Sequence, residues 1–490
     1  MAHITGTASS LRDVVERIRT ALTTNATLGA QVPNQRWTEL RYVYDNIESA
    51  STNMNPTAGR YLQSLCRVDQ RLRLSDSEFS TTQDFQASDF VGGTSYMQFK
   101  FRTAKPVSSL MIKGHSTTPN AYNINGFILQ YSDNGSSWTT AHTVASQATW
   151  TNYEERTYSG WAATGAHLWW RVVINTTGTS TTTGTLYCRS LLMYSGTELV
   201  NSSESHTILK GPGLGGTDEI FIGFTSRANP LTSEEIIMIH GFTGYQPNER
   251  SLLKQPGAIP YGHPFMALWD QPMPFWLTMS GRRVIGAFKV SSNYMGFYAG
   301  FMLPYATSGQ YPYPLAIGGS ICSNGFDNTS LKYDLVTAQH SIFCMPGNVG
   351  YLTSVSNITN TSTLSVLQPT GVWESYLNRP VNAQYGSSES IQFESAHTVY
   401  PHSAWDGTSA SSQRKPCYDN VGGGYTLWPH ILVNVLPVPR RQLGELDGTK
   451  QISGQNNSSE NTGTVDGKNY VIFQNIYRSA RTEYWAMLAE

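Results

Sequence analysis

At 490 residues the chain is too long for one small module, and roughly 150 residues per domain gives two to four units. Its 33 Lys and Arg against 34 Asp and Glu leave a net charge of −1, so the basic surplus that would grip nucleic-acid phosphates or an anionic membrane is missing. Only 14% of residues are charged while 12% are aromatic, with 43 Gly, which reads as a β-rich protein with polar but uncharged outer faces, of the kind that packs into assemblies or meets carbohydrate rather than a metabolic enzyme.

The first 72 residues are expected to form a helical docking segment. Leu11, Val14, Val15, Ile18 and Leu22 fall on one helical face, with Ser9 and Ser10 available as caps. Trp37, Leu40, Tyr44 and Ile47 suggest a second helix, and GRYLQSLCRVDQRLRL a third. The N-terminal residues lack a basic stretch leading into an apolar one, so no signal peptide is read. No apolar run reaches 18 residues, so no membrane span is read either. Cys66, Cys188, Cys322, Cys344 and Cys417 form no C-x-x-C pair and are expected to be buried free thiols in a chain that matures in a reducing cytoplasm.

From 75 to 195 the period changes to strands: YMQFKFR, SSLMIKG, NGFILQYS, HLWWRVVI and TLYCRSLLMYS, separated by turn signals such as Asp133-Asn134-Gly135. Short strands at this spacing predict a β-sandwich, with NTTGTSTTTGT as an exposed loop. Residues 201–490 are expected to form one large β-rich domain, with strands in DEIFIGF, RRVIGAFKV, MGFYAGFML, HILVNVLPV and NYVIFQNIY. GPGLGG fits G-x-G-x-x-G, but a strand follows it and no βαβ unit surrounds it, so it reads as a glycine turn.

No catalytic frame emerges. G-x-S-x-G and H-E-x-x-H are absent; His263, His340, His397, His402 and His430 sit in no recognisable motif; Asp218-Glu219 and Glu234-Glu235 would point to opposite faces of a strand. The reading is therefore not an enzyme, with no catalytic, cofactor or metal residue assigned and the ligand-binding residues unknown. A glycosidase-type carboxylate pair is something sequence spacing cannot display.

The order FILQYSDNGSSWTT, then the Arg-containing strand WWRVVI, then LYCRSLLMYS resembles the discoidin family, also called the coagulation factor 5/8 C-terminal domain. The residues carrying it are Tyr131, Ser132, Asp133, Gly135, Trp138 and Arg171, with Asn134 as a small departure inside the turn. The resemblance implies an eight-stranded jelly roll with loops at one end that, in many members, bind carbohydrate or phospholipid head groups. The module could equally be a spacer, because a fold does not by itself confer a ligand.

A second resemblance is carried by Gly281–Arg283, Leu303–Ala306 and Gln310–Pro314. Together with the closing YVIFQNIYRSARTEYWAML, these look like a family of tailed-bacteriophage virion structural proteins. It implies a virion component of the baseplate or distal tail, assembled in the bacterial host cytoplasm. Its partners would be other tail proteins, copies of itself and host surface polysaccharide, with no nucleic acid and no membrane insertion. The alternatives are a tail depolymerase and a purely architectural neck or baseplate subunit. Aromatic-Pro segments such as YATSGQYPYP suit permanent interfaces, because little entropy is left to lose.

Overall fold

The computed structural model describes residues 1–54, 85–114, 122–162, 164–177, 183–213, 218–229, 234–260, 264–307, 310–319, 321–322, 339–340, 343, 364–376, 397–400, 427–434, 441–452, 454, 457–474 and 484–490. These residues are mainly β, with one substantial helix near the start. They form two compact units, one of residues 43–205 and one of residues 1–42 together with 206–490. The expected three-part division therefore needs correction: the first 42 residues belong with the C-terminal region, and the sandwich is inserted into it.

In the larger unit, Leu11–Thr24 is helical, and Ser10 caps it by accepting from the Asp13 amide at 3.3 Å. The second expected helix is instead two strands, Thr38–Val43 and Ile47–Thr52. The third expected helix lies outside the described residues. Thr38–Val43 is the edge of a five-stranded sheet running 265–267, 234–242, 220–229, 206–211, 38–43. Of GPGLGG, Gly211 pairs antiparallel with Ile220 and Gly213 takes a φ of 69°, while residues 214–216 lie outside the described residues.

A seven-stranded sheet runs 2–8, 273–280, 283–290, 293–301, 315–318, 364–367, 373–376. It is covered on both faces, so all nine residues of Asn293–Phe301 are buried. On one face, Val284, Phe288 and Phe297 join the helix and Ile222 and Phe224 of the five-stranded sheet. On the other, Ile285, Ala287 and Tyr298 meet Leu432, Leu446, Phe473 and Trp485 of a third sheet. Successive residues of one strand thus feed two cores, as the two-residue period requires. The segments behind the virion resemblance serve this interior. Arg282 and Arg283 both bind Asp447, at 2.6 and 2.7 Å. Leu303–Pro304 pairs with Gly444 and Glu445. Tyr311 is buried, with its hydroxyl on the Leu367 carbonyl, and Tyr313 donates to the Phe242 carbonyl at 2.9 Å. These rings are core and near-core groups, not a free interface; Tyr305 is the one described tyrosine of the string that is about half exposed.

The smaller unit is a β-sandwich. One sheet runs 47–52, 96–105, 167–177, 124–132, 139–144, and the other 198–199, 190–195, 109–113, 155–159. A two-stranded ribbon, 85–91 with 183–188, completes it. Phe85, Phe99, Phe127, Trp170, Leu186 and Leu191 fill the core. TLYCRSLLMYS, expected as one strand, divides at Arg189 into strands of different sheets. Of the expected loop at 175–185, residues 175–177 and 183–185 are strand, and residues 178–182 lie outside the described residues. Cys188 is a buried free thiol; Cys66, Cys344 and Cys417 lie outside the described residues. No helix among the described residues is long and apolar enough to cross a membrane.

Candidate functional site

The six residues singled out by sequence do not converge on one spot; they divide between a turn and two faces of a sheet. Ser132 Oγ accepts from the amides of Asn134 and Gly135 at 3.2 and 3.0 Å, and Asn134 Oδ1 accepts from Ser136 and Ser137 at 2.9 Å each. Asn134, the departure from the family pattern, is therefore the residue that builds the turn. Gly135 takes a φ of 74°, and a Cβ there would sit 2.9 Å from the Trp169 ring, so both conformation and contact demand glycine. Asp133 Oδ1 meets His167 Nδ1 at 2.8 Å, and the His167 ring stacks on Tyr131 with centroids 4.0 Å apart. Tyr131 packs toward the core.

Trp138 and Arg171 lie on the opposite, outer face of the same sheet. The Arg171 guanidinium sits 4.0 Å from the Trp138 ring centroid and 5.6 Å from that of Tyr96, and its Nε donates to Gln130 Oε1 at 2.8 Å.

Both termini of the unit leave from one end of the sandwich, where Asn46 clasps them: its Nδ2 donates to the Thr103 and Val200 carbonyls, each at 3.1 Å. The antiparallel registers Lys105↔His167 and Tyr96↔Val173 place Tyr96, Ile124 and Thr177 at the other end. The segments 92–95 and 145–154 connect strands there, and the end is built around Gly114. A Cβ on Gly114 would lie 2.9 Å from Asn123 Nδ2 and 3.0 Å from the Trp150 ring, so the bare glycine lets both side chains meet at one point. Arg156 lies 4.1 Å over the Trp150 ring, donates to the Ala148 and Thr149 carbonyls and chelates Glu154, which fixes the 147–154 loop. Glu154 in turn accepts from the Thr151 amide at 2.7 Å. Arg156 and Thr151 hold its carboxyl down to about 2. A group so firmly ionised cannot serve as a general acid near neutrality.

The turn closed by Glu154 carries Tyr153 at a φ of 55°, a left-handed conformation disfavoured for a bulky residue. Its ring lies under the guanidinium of Arg189, 4.7 Å from the centroid. Tyr122 and Tyr187 meet edge to face at 4.9 Å beside the Asn123↔Tyr187 bridge. This end thus carries two buried polar side chains, Asn123 beside Gly114 and Arg189 over Tyr153, and the partly exposed rings of Tyr122, Tyr153 and Tyr187.

None of these loop-end residues was legible as a site in the sequence. Arg189 was concealed inside an apparently continuous strand, where a lone charge between Cys188 and Ser190 was the available signal. Thr151-Asn152-Tyr153 offered only a turn-like composition. Among the expected histidines, His430 is fully buried, 3.0 Å from Thr449 Oγ1 and from the Phe343 carbonyl, and burial holds it near 4. His263 and His402 lie outside the described residues. Among the described residues, no three His, Cys, Asp or Glu side chains gather as around a metal ion.

No protein-family model and no curated protein matches the sequence. Solved structures do show likeness. A carbohydrate-binding module from a family 31 glycoside hydrolase of Clostridium perfringens is 10% identical, over 31% of this chain and 97% of that one, with a TM-score of 0.23. The family 32 module of Clostridium perfringens NanJ, in complex with galactose, is 15% identical over 30% of this chain and 93% of that one, with a TM-score of 0.22. The family 32 module of Streptococcus pneumoniae EndoD is 14% identical over 30% and 97%, with a TM-score of 0.23.

Proposed function

We propose that the protein is a non-catalytic structural component of a tailed-phage virion, of the baseplate or distal tail, whose inserted sandwich binds saccharide of the host surface at its loop end. It would assemble in the host cytoplasm with copies of itself and other tail proteins. The virion part of this reading is supported by the sequence resemblance at Gly281–Arg283, Leu303–Ala306 and Gln310–Pro314. Saccharide binding is supported by one observation, the presence at the Gly114 end of buried Asn123 and Arg189 with Tyr153 held in a left-handed turn under the Arg189 guanidinium. Sugar rings present C–H faces that stack on aromatics and hydroxyls that pair with amide and guanidinium groups. Backbone strain retained under a partly exposed ring is the kind of cost that accompanies a binding role.

That strain makes the reading testable. Tyr153→Gly removes the ring while supplying the residue that tolerates positive φ best, so stability should stay within about 1 kcal/mol of the parent. Retention of the purified full chain on host cells or lipopolysaccharide should fall about tenfold, or roughly 1.4 kcal/mol. No reducing sugar should appear during binding. If the parent protein shows no retention on host envelope, or Tyr153→Gly retains it fully, the loop-end reading fails. Sugar release that is abolished by one Asp or Glu substitution would establish the depolymerase alternative instead.

A further inference from the structure

The outer face of the sheet 47–52, 96–105, 167–177, 124–132, 139–144 carries an arginine without a counter-charge. In the sandwich unit Lys100, Lys105, Lys113, Arg102 and Arg156 each lie within 4 Å of a carboxylate: Glu48, Glu198, Glu155, Asp45 and Glu154. Arg171 has none among the described residues. Its contacts are the Trp138 and Tyr96 rings and the one hydrogen bond from Nε to Gln130. Burial without a compensating anion holds its proton affinity below that of an ordinary arginine. The stacking and the Nε bond fix the plane of the guanidinium and leave its two Nη groups without an acceptor among the described residues.

Two of the three rows around it are lined by polar and aromatic groups. The registers place Gln98 and Gln130 directly across from Arg171, with Ser51 and Thr140 next in the same row. The adjacent row is Ser49, Lys100, Trp169 and Ser132. Amides, hydroxyls and aromatic rings make up these two rows, and the row on the other side of Arg171 is Tyr96, Val173, Ile128 and Thr143, where Val173 is already buried and Ile128 partly so. A protein interface of any strength would bury apolar groups at its centre. A chain of hydroxyl-bearing rings with a carboxylate would instead find a partner for each of its groups.

We propose that this sheet face is a second binding surface, distinct from the loop end, for a carboxylate-bearing saccharide such as a uronic or sialic acid chain, with Arg171 receiving the carboxylate as a two-pronged fork. A planar guanidinium pinned on aromatic faces loses little freedom on binding and matches carboxylate geometry, which a lysine cannot reproduce.

The test uses the full chain titrated calorimetrically with trigalacturonate, trimannuronate and disialic acid, and with the methyl ester of whichever binds. At least one acid should bind, and its ester should bind about tenfold more weakly. Arg171→Met puts an uncharged unbranched side chain beside Trp138 and should leave the melting temperature nearly unchanged while abolishing the preference for acid over ester. Arg171→Lys should lose most of it as well. Tyr153→Gly should leave acid binding intact, which separates this surface from the loop end. The proposal is overturned if none of the acids binds, if acid and ester bind alike, if Arg171→Met binds as the parent does, or if Tyr153→Gly removes binding. Concentration-dependent self-association that Arg171→Met abolishes would also overturn it, since the carboxylate would then come from a second copy.

Discussion

Asp447 shows how one side chain can fix the meeting of distant segments. Burial alone would push its carboxyl up, but Arg283 and Arg282 outweigh that and hold it below the usual carboxylate range. Arg283 is fully buried, and Gly448, at a φ of 79°, leaves room for its guanidinium, 2.4 Å from where a Cβ would stand. Removing the carboxylate strands two arginines, one in a dry interior. Asp447→Asn should therefore cost about 3–5 kcal/mol in urea unfolding. Because the folded pKa lies below the unfolded one, the contribution is complete above the ordinary carboxylate range and is lost as pH falls through the folded value. His430 acts in a higher window. Its unfolded form takes a proton near 6.5, whereas burial holds the folded form near 4. Stability should decline as pH drops between those values, by roughly 3 kcal/mol in all, and His430→Gln should flatten that part of the curve. Neither pairing could be read from the sequence, because Arg283 and Asp447 stand 164 positions apart.

At the scale of single elements, local pattern served well wherever local contacts decide. The helix 11–24 carries its core face, cap and first-turn acid within one short segment, all visible in SSLRDVVERIRTAL. Ser10→Ala should cost about 1 kcal/mol, measured by thermal or urea melts, because the Asp13 amide loses its acceptor. The segment 37–47 shows the opposite case. Trp37, Leu40, Tyr44 and Ile47 mimic a helical face, yet Thr38, Tyr42 and Val43 favour a strand, and the deciding partner, 206–211, is remote in sequence. The strands Thr139–Val144 and Glu155–Ser159 escaped notice because they are short, polar edge strands with no buried residue in either. The discoidin-like signature pointed to the turn and the sheet that carry the sandwich. The candidate loop end depends on Gly114, Tyr153 and Arg189, which are brought together by strand ends instead of by sequence proximity.

At the scale of the whole chain, the insertion has a consequence that can be measured. The strands Thr38–Val43 and His206–Gly211 are neighbours in one sheet, and Thr207 Oγ1 donates to the Arg41 carbonyl at 3.1 Å. The chain thus leaves the larger unit and returns to it at adjacent positions, a geometry in which an inserted domain adds only a loop-closure cost to its host. The excised unit has its own clasp, since Asn46 joins the backbone near both of its ends through Thr103, Val200 and Ser202. It also has its own core, built on Trp170 and the surrounding phenylalanines. Replacing residues 43–205 with a short Gly-Ser linker should therefore leave a larger unit that still unfolds cooperatively. Residues 43–205 expressed alone should fold and retain whatever saccharide affinity the full chain shows. Asn46→Ala in that isolated unit should cost about 1–3 kcal/mol, because it leaves the buried Val200 carbonyl without its partner and removes two partly buried bonds to the Thr103 backbone. Loss of cooperative unfolding in both pieces would show that the two units stabilise each other through more than the two chain crossings.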